Sequence, residues 1–193
     1  MIESGLSPAC QKRLDQEQAL FQNDYRTHYL PGETKGPEIG APYLLHHPKS
    51  RNAVLLIHGL MAAPYEVRQW ADNLFSGGFT VYAPRLSGHG TSAADLAGQD
   101  YGDWVDSVER GYEILAGCSE QIIVAGFSTG AGLALHQAIC HPKRYRAVIS
   151  VSAPMKFTGL SSNLSEIMER WNLVAGRLNG SSPRISPKID LTI

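Results

Sequence analysis

The chain has 193 residues, 43% hydrophobic and only 18% charged, which suits one α/β domain with a buried core and excludes a mainly disordered chain. Its 17 Lys and Arg against 18 Asp and Glu leave a net charge of -1, so no basic field exists to hold nucleic acid or an anionic membrane surface. Three cysteines (Cys10, Cys118 and Cys140) are odd in number and unrelated in spacing, which argues against a disulfide framework or a zinc site and fits a reducing compartment.

Residues 1–42 read as a polar, irregular N-terminal arm with one short helix around Gln11–Phe21. Met1–Gln22 has no apolar centre behind a basic start, so it is not a secretory signal. No apolar run approaches the roughly 20 residues that cross a bilayer. A soluble, cytoplasmic chain without an integral membrane segment is expected. From Tyr43 the pattern changes. Tyr43-Leu44-Leu45 reads as an edge strand, and Val54–Ile57, Thr80–Ala83, Ile122–Ala125 and Ala147–Val151 are short apolar runs of the kind that parallel strands covered on both faces require. The adjacent His46-His47 pair reads as a surface feature pointing to opposite faces of a strand.

Helical patterns alternate with these runs. Pro64 suits a first turn, Val67, Trp70, Ala71 and Leu74 share one face, and Gly77-Gly78 ends the segment. Trp104, Val105, Val108, Tyr112 and Leu115 mark a second amphipathic helix closed by Gly117, and a third runs from Ser128 to about His141-Pro142. The alternation predicts an α/β fold with a mostly parallel sheet flanked by helices over 43–155. Beyond it, Leu164, Ile167, Met168, Trp171, Val174 and Leu178 form a further apolar stripe, with Asn163 and Glu166 at capping-box spacing. Residues 156–193 read as the start of a cap or lid and an irregular tail, although an ordinary packed helix fits the stripe equally well.

Gly126-Phe127-Ser128-Thr129-Gly130 sits between an apolar strand and a helix. A serine on that tight turn is lifted clear of the sheet, and the flanking glycines remove side chains that would collide there. The competing reading is a serine that caps the helix. In acyl transfer, two N–H groups must face the tetrahedral oxyanion. One comes from the residue after the nucleophile, Thr129, and the other from the loop after an earlier strand, where Leu60 is the choice and Met61 the fallback. His58, at a strand end, reads as bonded to neighbouring backbone rather than as a base.

His58-Gly59-Leu60, Ala83-Pro84-Arg85-Leu86-Ser87-Gly88-His89-Gly90-Thr91-Ser92, Asp103-Trp104, Gly126–Gly130 and Ser152-Ala153-Pro154-Met155 follow one another in an order and spacing that resemble the α/β-hydrolase superfamily, in its bacterial carboxylesterase and monoacylglycerol-lipase branch. The resemblance spans roughly Tyr43 to Met155. It implies a serine hydrolase, a structural role for His89, and a small cap over an acyl pocket. It also implies an acid and then a histidine after the nucleophile. Here the acids after Ser128 are Glu166, Glu169 and Asp190, and the histidines, His136 and His141, precede them. Both histidines lie on the helix leaving Ser128, about 12 Å or more along its axis, whereas a base must lie within about 3 Å.

The expectation is therefore a hydrolase fold lacking the last part of its sheet, a truncation being favoured over a base from a second chain or a degenerate relative. The expected function is hydrolysis of carboxylic esters (short acyl esters or monoacylglycerols) through an acyl-enzyme on Ser128. An aminopeptidase or thioesterase on the same fold, or a chain that only binds an acyl ligand, is the alternative. Leu60, Met61, Met155, Phe157 and Leu160 are apolar candidates for a pocket, with Met61 and Met155 placed on the substrate. No metal-ligand spacing and no phosphate loop is present, so no metal or cofactor is expected, and the partner is a small ester or lipid-like substrate rather than nucleic acid. The exposed edge of the last strand predicts aggregation or a homodimer.

Overall fold

The computed structural model describes residues 5–154. The element around Gln11–Phe21 is longer than expected: helix α1 spans Pro8–Thr27. Ser7 caps it by accepting from the Cys10 N–H at 3.2 Å, with Pro8 pre-set for the first turn. Its inner stripe of Cys10, Leu14, Glu17 and Phe21 carries a carboxylate, which makes the segment read as polar in sequence. That carboxylate is nonetheless buried, receiving Arg110 Nε at 2.7 Å. A single turn, α2 (Pro37–Gly40), leads to strand β1 (Tyr43–Leu45). Strand β2 (Asn52–Ile57) follows, and then a 3₁₀ turn over Pro64–Val67 runs into helix α3 (Arg68–Ser76). Gly77 and Gly78 close α3 with N–H groups on the Asn73 and Phe75 carbonyls at 3.0 and 2.9 Å.

Strand β3 (Thr80–Ala83) is followed by α4 (Ala93–Ala97) and by α5 (Tyr101–Ala116). A reciprocal capping box opens α5: the Asp100 carboxylate accepts from the Asp103 N–H at 3.1 Å, and that of Asp103 from the Asp100 N–H at 2.8 Å. Strand β4 (Gln121–Phe127), helix α6 (Thr129–Cys140) and strand β5 (Ala147–Val151) complete the described chain. The sheet order is β1-β3-β2-β4-β5, with β1 antiparallel to β3 and every other pairing parallel. No helix among the described residues is long and apolar enough to cross a membrane.

Side chains alternate across the central strands and so build two cores. Ala53, Leu55, Ile57, Tyr82 and Val124 meet Trp104, Val108 and Leu115 of α5 and Cys10 of α1. Val54, Leu56, Val81 and Ala83 meet Val67 and Ala71 on the other face. Each large aliphatic buried this way contributes about 1.5–3 kcal/mol. Strand β5 departs from the expectation of a strand covered on both faces. All five of its residues are exposed, and among the described residues it pairs with β4 alone. His46 and His47 also depart from expectation. They follow the end of β1 and are half-buried, His47 packing edge-on to the Phe75 ring at 5.7 Å. The apolar stripe of 164–178, the Asn163–Glu166 pair, the tail, and the candidates Met155, Phe157 and Leu160 lie outside the described residues.

Candidate active site

Register is the first cause of the site. Pairing β2 with β4 from Asn52↔Gln121 to Ile57↔Gly126 sets the ends of both strands level, so the loop after β2 meets the turn after β4. Strand carboxyl ends are where open parallel sheets bind ligands. A Cβ placed on Gly59 would lie 3.4 Å from the Ser128 Cβ. The turn itself tolerates no bulk. A Cβ at Gly126 would sit 2.1 Å from the Gly130 carbonyl oxygen, and one at Gly130 2.4 Å from the Ile57 and His58 carbonyl oxygens.

Ser128 has φ 52° and ψ -120°, a backbone region that L-residues occupy at a cost of about 1–3 kcal/mol. The Val151 carbonyl holds its N–H at 2.9 Å. Its side chain makes no capping hydrogen bond to α6, which removes the helix-cap reading. The other non-glycine residues with positive φ are Met61 (60°) and Ser152 (55°), among those described. All three therefore stand just past the carboxyl ends of parallel strands, β2, β4 and β5. No local sequence signal marks Met61 or Ser152, because their backbone angles follow from the turns between long-range partners.

His58 is fully buried and both ring nitrogens are engaged. The Leu86 N–H donates to Nε2 at 3.2 Å, so the proton resides on Nδ1, which donates to the Gly59 carbonyl at 2.9 Å. Burial, with His89 alongside, holds its pKa down to about 3, so the ring is neutral. A base for Ser128 it is not. Its hydrogen bond has another use: the Gly59 carbonyl and the Leu60 N–H belong to one planar trans peptide, so fixing the carbonyl aims the N–H the opposite way. The N–H groups of Leu60, Met61 and Thr129 donate to no acceptor among the described residues. The Leu60 side chain is half-buried against the α5 core, Met61 is 39% exposed, and Thr129 is buried at the first position of α6.

The loop after β3 braces His58. His89 packs edge-on to His58 (5.0 Å) and to Trp104 (5.5 Å), and burial lowers its pKa to about 4. Arg85, 6% exposed, reaches from this loop to three acceptors: the His89 carbonyl at 2.6 Å, Asp24 of α1 at 2.6 Å and Asp95 of α4 at 3.4 Å. Asp95 also accepts from the Thr91 hydroxyl at 2.6 Å. This buried charge network is absent from the sequence reading, since Asp24, Arg85 and Asp95 have no shared spacing. It borders a cavity of about 230 Å³ between α1 and the β3 loop, lined by Phe21, Asp24, Arg85 and Arg110 among others and distinct from the Ser128 turn.

All seven histidines lie among the described residues, and none hydrogen-bonds Ser128. His136 Nδ1 meets the Tyr101 hydroxyl at 2.6 Å, and His141 pairs with Glu109 at 2.9 Å. No group of three or more His, Cys, Asp or Glu among the described residues is placed to hold a metal.

A family model described as the alpha/beta hydrolase fold matches residues 52–177. A thermostable monoacylglycerol lipase of Bacillus sp. (strain H-257) is 35% identical over 112 residues, 58% of this chain and 44% of the lipase. A carboxylesterase of Bacillus subtilis (strain 168) is 33% identical over 104 residues, 53% of this chain and 42% of the esterase. The chain thus spans less than half the length of either curated relative. Among solved structures, one from the work on the metagenome-derived lipolytic enzymes LipS and LipT superposes with a TM-score of 0.59 at 26% identity, covering 83% of this chain and 58% of the other.

Proposed function

Because the chain belongs to the alpha/beta hydrolase fold family, we propose that it carries the nucleophile and oxyanion-binding half of a serine hydrolase acting on carboxylic esters. Ser128 Oγ attacks the ester carbonyl, the Leu60 and Thr129 N–H groups receive the developing oxyanion, the alcohol departs, and water releases the acyl group. The observation that carries this reading is the Ser128 turn: a left-handed serine, free of capping duty, against a loop whose N–H groups are unengaged. The substrate class, a short acyl ester or monoacylglycerol, draws support from the lipase and carboxylesterase relatives. Met61 and Met155 are the side chains proposed to touch it. The base and its acid partner come from outside these residues, since no histidine of the chain reaches Ser128.

The engagement of every candidate histidine elsewhere favours a second reading, a protein that binds an acyl ligand without turnover. Labelling of the 193-residue chain by a fluorophosphonate, read by intact mass beside Ser128→Ala, separates the two. One phosphonyl group per chain, added slowly and absent from Ser128→Ala, is expected, because strained geometry and oxyanion binding outlast loss of a base by about 10³ over water. A folded chain that stays unlabelled removes the nucleophile and leaves the binder.

A further inference from the structure

The start of α1 docks on the end of α5. The Ser7 hydroxyl donates to the Gly117 carbonyl at 3.0 Å, and a Cβ on Gly117 would lie 3.6 Å from the Cys10 Cβ. Beside this contact Cys10, fully buried, and Cys118, half-buried, join the same apolar cluster. The two thiols are near enough to perturb one another's titration, and Cys118 Sγ donates to the Ile114 carbonyl at 3.5 Å. Both are free thiols, brought together from positions more than 100 residues apart in the chain. Cys140, at the exposed end of α6, stands apart.

We propose that Cys10 and Cys118 are an oxidisable dithiol whose reversible disulfide ties helix α1 to the end of α5. The more accessible Cys118 reacts first. Its thiolate attacks a small disulfide such as oxidised glutathione, forming a mixed disulfide and releasing one glutathione thiolate. Cys10 then loses its proton to solvent, and its sulfur attacks Cys118 Sγ; the protein S–S bond forms and the second glutathione leaves as thiolate. Two protein thiols are oxidised and one glutathione disulfide is reduced. Burial pushes both thiols up, Cys10 to about 12, so the pair is a slow responder rather than a catalytic one. The ring it closes exceeds 100 residues, the regime in which a crosslink restricts the unfolded chain most.

The test is incubation of the folded 193-residue chain with oxidised glutathione, alkylation of remaining thiols, and intact mass with peptide mapping. The expected product joins the Cys10 and Cys118 peptides and is lighter by two hydrogens, apart from one alkyl or glutathionyl group on the exposed Cys140. Its Tm rises by roughly 5–10 °C and returns on reduction. Cys140→Ala leaves the product unchanged. Cys10→Ala halts at a glutathione adduct on Cys118, and Cys118→Ala leaves Cys10 unmodified. Alkylation of both Cys10 and Cys118 in the folded wild type, an adduct on Cys118 that never resolves, or a Cys118–Cys140 link would each overturn the proposal. The wild-type map decides the matter even where a core variant fails to fold.

Discussion

His58 shows how a single residue type can serve a site without reacting in it. Its folded pKa of about 3 lies below the ordinary value of 6.5, and that of His89 lies at about 4. The unfolded chain therefore binds more protons than the folded one between these limits, and stability rises with pH from about 3 to 6.5. Stability contributed by the neutral rings is complete above pH 6.5 and is lost as the pH falls through the folded values. Each ring adds a slope of about 1.4 kcal/mol per pH unit in its own window. Urea midpoints measured down this range are expected to fall for the wild type and to fall less steeply for His58→Gln, which keeps an acceptor but cannot titrate. Equal slopes would count against the locked neutral ring. The backbone-bonded role of His58 was legible in sequence through its local partner, the Gly59 carbonyl, whereas its other partner, the Leu86 N–H, is distant in the chain. The Ser128 turn was legible because its glycines stand within five consecutive residues, although Gly130 is also required by the distant Ile57 and His58 carbonyls. The left-handed Met61 and Ser152 were not, since their angles answer to partners distant in the chain.

At the scale of elements, five strands and helices α3, α5 and α6 could be read from apolar runs and glycine stops, with boundaries shifted by up to three residues, while the short α4 carries no such signal. Helix α1 was under-read because a buried glutamate interrupts its apolar stripe, and only the position of Arg110 on α5 explains why Glu17 is tolerated there. Three elements, α1, α4 and the β3 loop, converge on Arg85, so their stability is shared. Asp95→Ala removes an acceptor whose side chain is 4% exposed and leaves Arg85 and Thr91 short of a partner. Breaking such a buried pair costs about 3–5 kcal/mol. Asp24→Asn, at a carboxylate 35% exposed, is expected to cost clearly less. Chemical denaturation of the two variants checks the order; a mild Asp95→Ala would show that the network adds little.

For the molecule as a whole, apolar runs mark which segments become strands but not where each sits in the sheet. The central β2 and β4 are covered on both faces and β5 is not, a difference that its own sequence, as apolar as theirs, conceals. Val148, Ile149 and Val151 are 38%, 37% and 40% exposed on a strand with one paired edge among the described residues. Self-association through that edge is the expected outcome. Light scattering should give a mass that climbs with concentration, and Ile149→Lys, which places a charge on the strand, should suppress the rise. A constant monomer mass would reject it.

The same sheet order sets a timetable for synthesis. The β2 strand and the loop bearing Leu60 leave the ribosome long before β4, the parallel neighbour against which they are aligned. Until residues beyond Gln121 emerge, Val54–Ile57 is an apolar ribbon lacking half its partners, and the serine and its oxyanion loop cannot yet meet. Nascent chains stalled between these two strands should therefore be the ones that chaperones hold.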